Sequence, residues 1–329
     1  MTLQIPLFEH HPSHAAVLTW TAEEVRIADD LRTKGYAVLD FPEPAFAKLA
    51  DEIIADLQDQ LCGPGETDGK SGKSVRVQDH DLPSVRQIAG NAEVQALLSK
   101  IYGRQAFPFQ TLNFSVGTQQ PVHSDDVHFS SYPKGFMCGV WVALEDIHPD
   151  AGPLAFYPRS HRLENVDGIG MGEHPLEHPN AQPAEFAGGT QKAVQKLWDT
   201  SLKDRDIPLQ HFLGKKGQAL IWVYNLLHGG ALRKDIQRTR WSQVTHYYFE
   251  GCDYYTPLLS EYQSGDVHFR DNVIDLKSDA LKSAEPHPVL PADFDPERYL
   301  ELNPDVRGHG ASPDHHWMHH GFFEKRRYK

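Results

Sequence analysis

Cysteine is scarce in this sequence, and long apolar runs are missing. The 329 residues include only Cys62, Cys138 and Cys252, which are too few and too scattered for a disulfide framework or a thiolate zinc cage. No stretch approaches the roughly 18 apolar residues that a membrane span requires. The first residues contain no basic region followed by an apolar run. We therefore expect no membrane association and a cytoplasmic location.

Positive charge is also in short supply. Lys and Arg total 32 against 45 Asp and Glu, which gives a net charge of −13. Such a chain would repel a phosphate backbone, so we expect no nucleic-acid partner. Hydrophobic residues make up 40% of the chain and aromatic residues 10%, enough to bury the core of one large domain beside a small appendage.

The middle of the chain, residues 107–248, has the pattern of an antiparallel β architecture, because its apolar or alternating runs are short and bounded by Gly, Pro and Asp. These runs are 111–116, 137–144, 154–157, 219–226 and 242–249. Before them, residues 21–61 indicate a helix, a short strand at 35–39 and a second helix, with Thr21 as the N-terminal cap. The sequence thus predicts a mainly β fold with flanking helices.

Two segments differ from this β region. Residues 164–206 are long, polar and rich in His, Pro and Gly, which favours an insertion or lid with one helix near 191–198. Prolines at 286, 288 and 291 mark a linker, and the sequence after it suggests two short helices. We therefore expect a large domain over residues 1–285 and a small C-terminal helical unit over residues 286–329.

Three side chains form a pattern that is typical of a metal site. His123 and Asp125 are two residues apart, so in an extended segment both point to the same side and can bind one ion. His228 ends a strand-like run much later in the chain, which would hold it in place as the third ligand. Two imidazoles and one carboxylate on one face leave the opposite positions free, as Fe(II) oxygenases require. Strand alternation would turn Asp126 away from the ion.

The His-x-Asp pattern is weak by itself in a chain with 20 histidines. His148-Pro149-Asp150 is a second copy, but the Pro and Gly residues around it indicate a turn. Only the first copy is followed downstream by a His-Gly pair and arginines. We therefore predict the metal site at His123, Asp125 and His228.

The sequence around these residues resembles the phytanoyl-CoA dioxygenase family of Fe(II)/2-oxoglutarate oxygenases. The likeness runs from about residue 35 to 249 and includes GYAVL at 35–39, VWVALED at 140–146 and AGPLAFYPRSH at 151–161. Family members usually show Asn-Gly-Pro-Leu and Pro-Gly-Ser-His in the last stretch, where this chain has Ala151 and Arg159. The resemblance implies a double-stranded β-helix, a jelly-roll or cupin-like barrel, with the metal inside its mouth.

The resemblance also implies an activity and a set of roles. Residues 1–285 would form a dioxygenase that uses Fe(II), 2-oxoglutarate and O2, with His123, Asp125 and His228 as metal ligands and catalytic centre. An arginine near His228 would bind the distal carboxylate of 2-oxoglutarate through charge-assisted hydrogen bonds. Arg238 and Arg240 compete for this role, and the alternating strand that follows favours Arg240. Halogenating relatives carry a small residue where Asp125 stands, so hydroxylation is favoured over halogenation.

Strand placement alone suggests further contacts. Thr111, Asn113 and Phe129 are candidate contacts to the co-substrate, and His128 and Tyr247 are candidates to face the substrate. Three aromatic residues are expected as walls of the site or as barrel core: Trp141, Trp222 and Tyr224.

The substrate is expected to be a small polar molecule. The C-terminal unit contains Asn-Pro-Asp-Val at 303–306 and resembles a short module of bacterial proteins that act on cell-surface polysaccharide, although Phe323 and Lys325 depart from its pattern. A sugar or polysaccharide precursor is therefore one candidate. Two other classes stay open: a Zn- or Mn-dependent cupin-like hydrolase or isomerase with the same triad, and a non-catalytic binding barrel.

Overall fold

The structure of the chain is a computed structural model. It describes residues 3–10, 19–66, 72–78, 80–163, 195–260, 268–270, 272–282, 290–291, 293–307, 312–317, 321 and 326–329. In this part of the chain the fold is mainly β, with antiparallel strands and flanking helices, as the sequence predicts. None of the helices in these ranges is long and apolar enough to cross a membrane.

The strands form one large sheet and two small ones. The large sheet has six antiparallel strands in the order β1-β8-β5-β10-β3-β2, and its centre, β5 and β10, is buried along its whole length. A three-stranded sheet has the order β7-β6-β9, and β11 pairs with β4. The strands are β1 Tyr36–Asp40, β2 Arg76–Val77, β3 Ala106–Phe114, β4 Ser130–Tyr132, β5 Met137–Ala143, β6 Leu154–Phe156, β7 Gln210–Phe212, β8 Gln218–Val223, β9 His228–Gly230, β10 Ser242–Phe249 and β11 Asp253–Tyr255.

The two larger sheets meet in the core. Trp141 on β5 and Phe212 on β7 contact each other edge to face, with ring centroids 5.6 Å apart. Trp141 and Leu154, from the two sheets, also line one shared cavity. This arrangement of antiparallel sheets around a cavity is that of a jelly roll.

Helices cover the outside of the large sheet. The first, α1, begins at a capping box in which Thr21 and Glu24 each accept a backbone N–H of the other, an arrangement worth about 1 kcal/mol. It ends at Gly35, whose φ of 84° favours glycine. The helices are α1 Ala22–Lys34, α2 Phe46–Leu57, α3 Pro83–Ala89, α4 Ala92–Tyr102, α5 with described residues 195–204, α6 Pro296–Leu302, α7 Pro304–Arg307 and α8 Pro313–His316.

Most strand predictions are confirmed, and two need correction. The run 111–116 overlaps only the end of β3, which spans Ala106–Phe114. The predicted strand 242–249 matches β10, and 137–144 and 154–157 match β5 and β6 to within one residue. The run 219–226 is not one strand, because β8 ends at Val223 and a turn at Tyr224 and Asn225 leads the chain to β9. His228 therefore lies in a separate short strand rather than at the end of β8.

The expected insertion falls mostly outside the described residues, since 164–194 are not among them. Its described helix α5 buries Trp198 and Leu202 against Val127 and Leu227. Those two residues are close in sequence to Asp125 and adjacent to His228 respectively. The insertion is thus in contact with both segments of the predicted metal site, and its role as a lid stays a prediction.

The C-terminal residues form a small cluster of their own around Tyr299, Val306 and Trp317. The sequence suggested two helices, but the described residues contain three short ones. The first ends at Asn303 because Pro304 has no N–H with which to continue it. The expected boundary at 285/286 falls within 283–289, outside the described residues.

Candidate metal centre

Backbone pairing brings the two predicted histidine ligands together. His123 and His228 face each other in an isolated antiparallel bridge and exchange two backbone hydrogen bonds, of 2.8 and 2.9 Å. Their ring centroids are 4.4 Å apart. The convergence of the two histidines is therefore set by β9 and by the segment around His123 that pairs with it.

Each imidazole is oriented by a hydrogen bond between its Nδ1 atom and the backbone carbonyl two residues earlier. Nδ1 of His123 lies 2.9 Å from the carbonyl oxygen of Pro121, and Nδ1 of His228 lies 2.9 Å from that of Leu226. A carbonyl can only accept, so Nδ1 carries the proton on both rings. The Nε2 atoms are then left with lone pairs, which is the state in which an imidazole binds a metal.

Asp125 completes the group. One ligand atom from each of His123, Asp125 and His228 lies within 4.8 Å of the others, so the three could hold one metal ion. Asp125 does not lie in a strand: Ser124 is extended, and Asp125 opens a 3-10 turn, Asp125–Val127. Asp126 is directed elsewhere, with its Oδ1 accepting from Ser130 and its Oδ2 3.4 Å from the Lys134 ammonium.

Burial and neighbouring charge both perturb the titration of these groups. Burial, with His228 alongside, lowers the pKa of His123 to about 3, so this ring stays neutral and available to a metal. Burial acts to raise the pKa of Asp125, but the adjacent His246 and His228 rings outweigh it and hold that pKa well below its usual range. The site thus presents an ionised carboxylate beside the imidazoles of His123 and His228, a donor set that fits Fe(II).

Two further side chains hold the Asp125 carboxylate. Trp222 Nε1 donates to Asp125 Oδ2 at 2.7 Å, with both groups buried, and His246 Nε2 lies 3.4 Å from the same oxygen. The indole fits there only because position 139 is glycine, since a Cβ at Gly139 would lie 2.3 Å from the Trp222 ring. Sequence reasoning missed His246, although it continues the every-second-residue spacing that starts at Arg240.

Residues 158–161 hydrogen-bond to the turn that precedes His228, the third candidate ligand. Ser160 Oγ accepts the backbone N–H of Leu227 at 2.8 Å, and Asn225 donates to the His161 carbonyl at 2.9 Å. Both contacts fix the turn immediately before His228. Arg159 has a φ of 69°, which explains physically why glycine is usual at this position in the resembled family.

The structure separates the two competing arginines. Arg238 is exposed and pairs with Asp235 at 3.0 Å, whereas Arg240 is buried and lines the cavity. Burial lowers the pKa of Arg240 to about 10, which leaves it charged near neutral pH. Its Nη1 donates to Ser242 Oγ at 3.0 Å, and it has no carboxylate partner among the described residues. A buried guanidinium in this state is a strong site for an anion.

Two candidate contacts from β3 do not line the cavity. Thr111 donates to the backbone carbonyl of Val244 at 3.0 Å, and Asn113 is buried without touching the cavity. Side chains alternate along a strand, and the cavity is lined from β3 by the other set, Gln110, Leu112 and Phe114.

Of the remaining aromatic and histidine candidates, some line the cavity and others do not. Phe129 and His128 do line the cavity, as do Trp141 and Trp222. Tyr247 does not, because it points to the opposite side of β10 and donates to the Ala89 carbonyl at 2.7 Å. The cavity holds about 550 Å³, which is in the range of small-molecule sites.

The chain is similar to proteins of one known family. The family model described as "Phytanoyl-CoA dioxygenase (PhyH)" matches residues 30–233. A curated relative, "Probable phytanoyl-CoA dioxygenase" of Caenorhabditis elegans, is 26% identical over 122 residues, which cover 37% of this chain and 34% of the relative. The match therefore spans only about a third of that relative's length.

Two solved structures share the fold. Both are of SnoN, named as a non-heme alpha ketoglutarate dependent epimerase from nogalamycin biosynthesis. The first has a TM-score of 0.53 at 18% identity and covers 82% of this chain and 95% of its own. The second, named as a complex with Fe3+, alpha ketoglutarate and nogalamycin RO, has a TM-score of 0.51 at 20% identity and covers 73% and 90%. At these identities the likeness shows the fold alone.

Proposed function

The chain belongs to the phytanoyl-CoA dioxygenase family, and from that premise we propose that it is an Fe(II)- and 2-oxoglutarate-dependent dioxygenase that hydroxylates a small polar molecule. The observation that carries the proposal is that one cavity contains both a cation-binding group of residues and an anion-binding residue. Three metal donors lie within 4.8 Å of one another, and a buried arginine without a carboxylate partner among the described residues lines the same cavity.

We assign the metal to His123, Asp125 and His228. The Nε2 atoms of the two histidines and the Asp125 carboxylate are the donors, and the two Nδ1–H bonds keep the rings in the binding tautomer. Bound iron would supply the activation of O2 that couples oxidation of the 2-oxo acid to hydroxylation of the substrate. The SnoN structure named with Fe3+ and alpha ketoglutarate has this fold, which supports the assignment.

We assign the distal carboxylate of 2-oxoglutarate to Arg240, with Ser242 beside it. The Arg240 guanidinium lies 5.6 Å from the Phe114 ring centroid and 5.5 Å from that of Trp141. These two rings restrict its movement and keep water away from it, so a bidentate carboxylate contact would be strong.

The proposed hydroxylation of a polar substrate rests on Asp125 and on the residues of the cavity wall. A carboxylate at this position occupies the site that a halide would need, which favours hydroxylation. The wall contributes amide and imidazole groups from Gln110, Gln120 and His128, which suit a polar substrate. A sugar or polysaccharide precursor remains our candidate, on the likeness of the C-terminal unit.

Succinate release tests the proposal. We expect the purified protein to form succinate from 2-oxoglutarate when Fe(II) and O2 are present, and not when Zn(II) replaces Fe(II). Asp125→Ala should abolish release. Asp150→Ala, at the second His-x-Asp copy, is the matched control and should leave it unchanged. Succinate release that persists in Asp125→Ala would refute the assignment.

A further inference from the structure

The cavity wall is positively charged although the chain is acidic. Among the described residues, those that line it include Arg76 and Arg240 but a single carboxylate, Asp125, in a chain with a net charge of −13. We propose that the substrate carries an oxyanion, a carboxylate or a phosphate, which binds between Arg76 and Arg270 beside His128. This inference rests on the proposed function and names the substrate class of the same site.

Strand pairing directs Arg76 into the cavity. In the β2–β3 ladder Arg76 lies opposite Phe114, and Val77 opposite Asn113. Directly paired residues project to the same face of a sheet, and Phe114 lines the cavity whereas Asn113 does not. The Arg76 side chain is exposed at the rim, and no carboxylate lies within salt-bridge distance of it in the described ranges. Its charge is therefore available to a ligand.

Arg270 contacts a wall residue of the same cavity from another segment. Its guanidinium carbon lies 4.9 Å from the ring centroid of Phe129, a cavity-lining residue, and 5.6 Å from that of Phe109. Its backbone N–H donates to the Tyr254 carbonyl at 2.8 Å, which anchors the residue. Its Nε is buried and has no hydrogen-bond partner within the part of the chain that the structure describes. Burying such a donor unpaired is costly, so a ligand that satisfies it gains affinity.

His128 lies beside this rim. Its side chain lines the cavity together with Arg76, and its imidazole can donate to or accept from a bound group. Its neighbour Phe129 lines the cavity and contacts the Arg270 guanidinium.

The balance of charges in the occupied site indicates the sign of the charge on the substrate group. If Fe(II) and 2-oxoglutarate are bound as proposed, the two charges of the metal and the one of Arg240 are matched by Asp125 and by the two carboxylates of the co-substrate. Among the described residues Arg76 and Arg270 then have no carboxylate partner, and the Arg270 side chain is half-buried. Unmatched charge is unfavourable in such a position, and an anionic substrate group would offset it.

The experiment measures anion binding separately from turnover. The full-length protein is loaded with Fe(II) and saturating 2-oxoglutarate without oxygen, and inorganic phosphate and acetate are titrated calorimetrically at constant ionic strength. We expect at least one of the two to bind without displacing 2-oxoglutarate. Phosphate as the tighter ligand would identify a phosphorylated substrate, and acetate as the tighter ligand would identify a carboxylic acid.

Variants at the rim decide whether the site is the one proposed. Arg76→Gln and Arg270→Gln should each weaken the anion about tenfold, while Arg76→Lys should retain most of the affinity. Arg238→Gln removes the same charge outside the cavity and should leave the affinity within about twofold. Because Arg76 is at the surface, its variant is expected to fold and is decisive even if the Arg270 variant does not.

Three results would overturn the inference: no binding of either anion, equal binding by wild type and Arg76→Gln, or displacement of 2-oxoglutarate, which would place the anion at Arg240. These outcomes leave the proposed function standing if succinate is still released. Failure to bind Fe(II) or 2-oxoglutarate at all would instead refute the proposed function.

Discussion

Replacing Trp222 with phenylalanine isolates one hydrogen bond behind the metal site. Trp222 Nε1 donates to Asp125 Oδ2 at 2.7 Å in a buried environment. A phenyl ring keeps most of the aromatic volume but has no donor. The Asp125 carboxylate would lose the contact that fixes its orientation, and we expect the protein to bind Fe(II) more weakly.

The size of the effect follows from the contact. A hydrogen bond to a charged group contributes about 1.5 to 3 kcal/mol, and about 1.4 kcal/mol corresponds to a tenfold change in affinity. His246 Nε2 lies 3.4 Å from the same Asp125 oxygen and can take over part of the lost interaction. We therefore expect the lower part of the range, about a tenfold loss of Fe(II) affinity, in line with the usual effect of removing such supporting contacts.

Anaerobic titration with Fe(II) measures this loss directly. Trp141→Phe is the matched control, because Trp141 lines the same cavity and is equally buried but does not contact Asp125. The control should bind Fe(II) with nearly wild-type affinity. If Trp222→Phe binds as tightly as the control, then Trp222 does not position the carboxylate, and this part of the account is wrong.

Four further changes have defined expectations. Gly139→Ala places a Cβ 2.3 Å from the Trp222 ring, so it should weaken Fe(II) at least as much as Trp222→Phe in the same titration. Arg240→Ala should weaken 2-oxoglutarate by more than about tenfold in calorimetry with Fe(II) affinity unchanged; unchanged 2-oxoglutarate affinity would exclude the assigned role. Burial lowers the pKa of His161 from 6.5 to about 4, so the unfolded chain takes up a proton at a higher pH than the folded protein. The free energy of unfolding should therefore fall as the pH drops from 6.5 to 4, by up to about 3 kcal/mol. Denaturation at these two pH values should show a smaller difference in this free energy for His161→Asn than for the wild type. Thr21→Ala should cost about 1 kcal/mol of unfolding free energy, with no change in metal affinity.

The candidate metal donors could be predicted from the sequence because their constraint is local and chemical. The spacing of His123 and Asp125, and a strand-like run ending at His228, suffice to suggest convergence. The detail differs, since Asp125 opens a 3-10 turn and His228 pairs directly with His123 through the backbone. A bridge between two single residues leaves no periodic pattern in the sequence.

The face of a strand was harder to predict than the strand itself. Thr111 and Asn113 lie on β3 but point away from the cavity, and Gln110 and Leu112 point into it. Shifting by one residue exchanges the two faces, and β3 is buried on both sides, so its composition does not distinguish them. The direction follows only from the pairing with β10, where Thr111 lies opposite Thr245.

Contacts between distant residues account for the rest. Trp222 reaches Asp125 from β8 because residue 139 has no side chain, and no short motif connects these three positions. Arg76 lies in a strand of two residues after a glycine-rich segment of the sequence, and this strand is too short to show alternation. Residues that support the site or line its cavity through such contacts can be identified only when the pairing of the strands is known.

Fe(II) stoichiometry in single-alanine variants tests the central claim most directly. The account predicts one Fe(II) per wild-type chain, and loss of this binding in His123→Ala, Asp125→Ala and His228→Ala. The matched variants His148→Ala and Asp150→Ala should each still bind one equivalent. Full retention of Fe(II) in His228→Ala, or its loss in the matched variants alone, would contradict a metal centre built from these three residues.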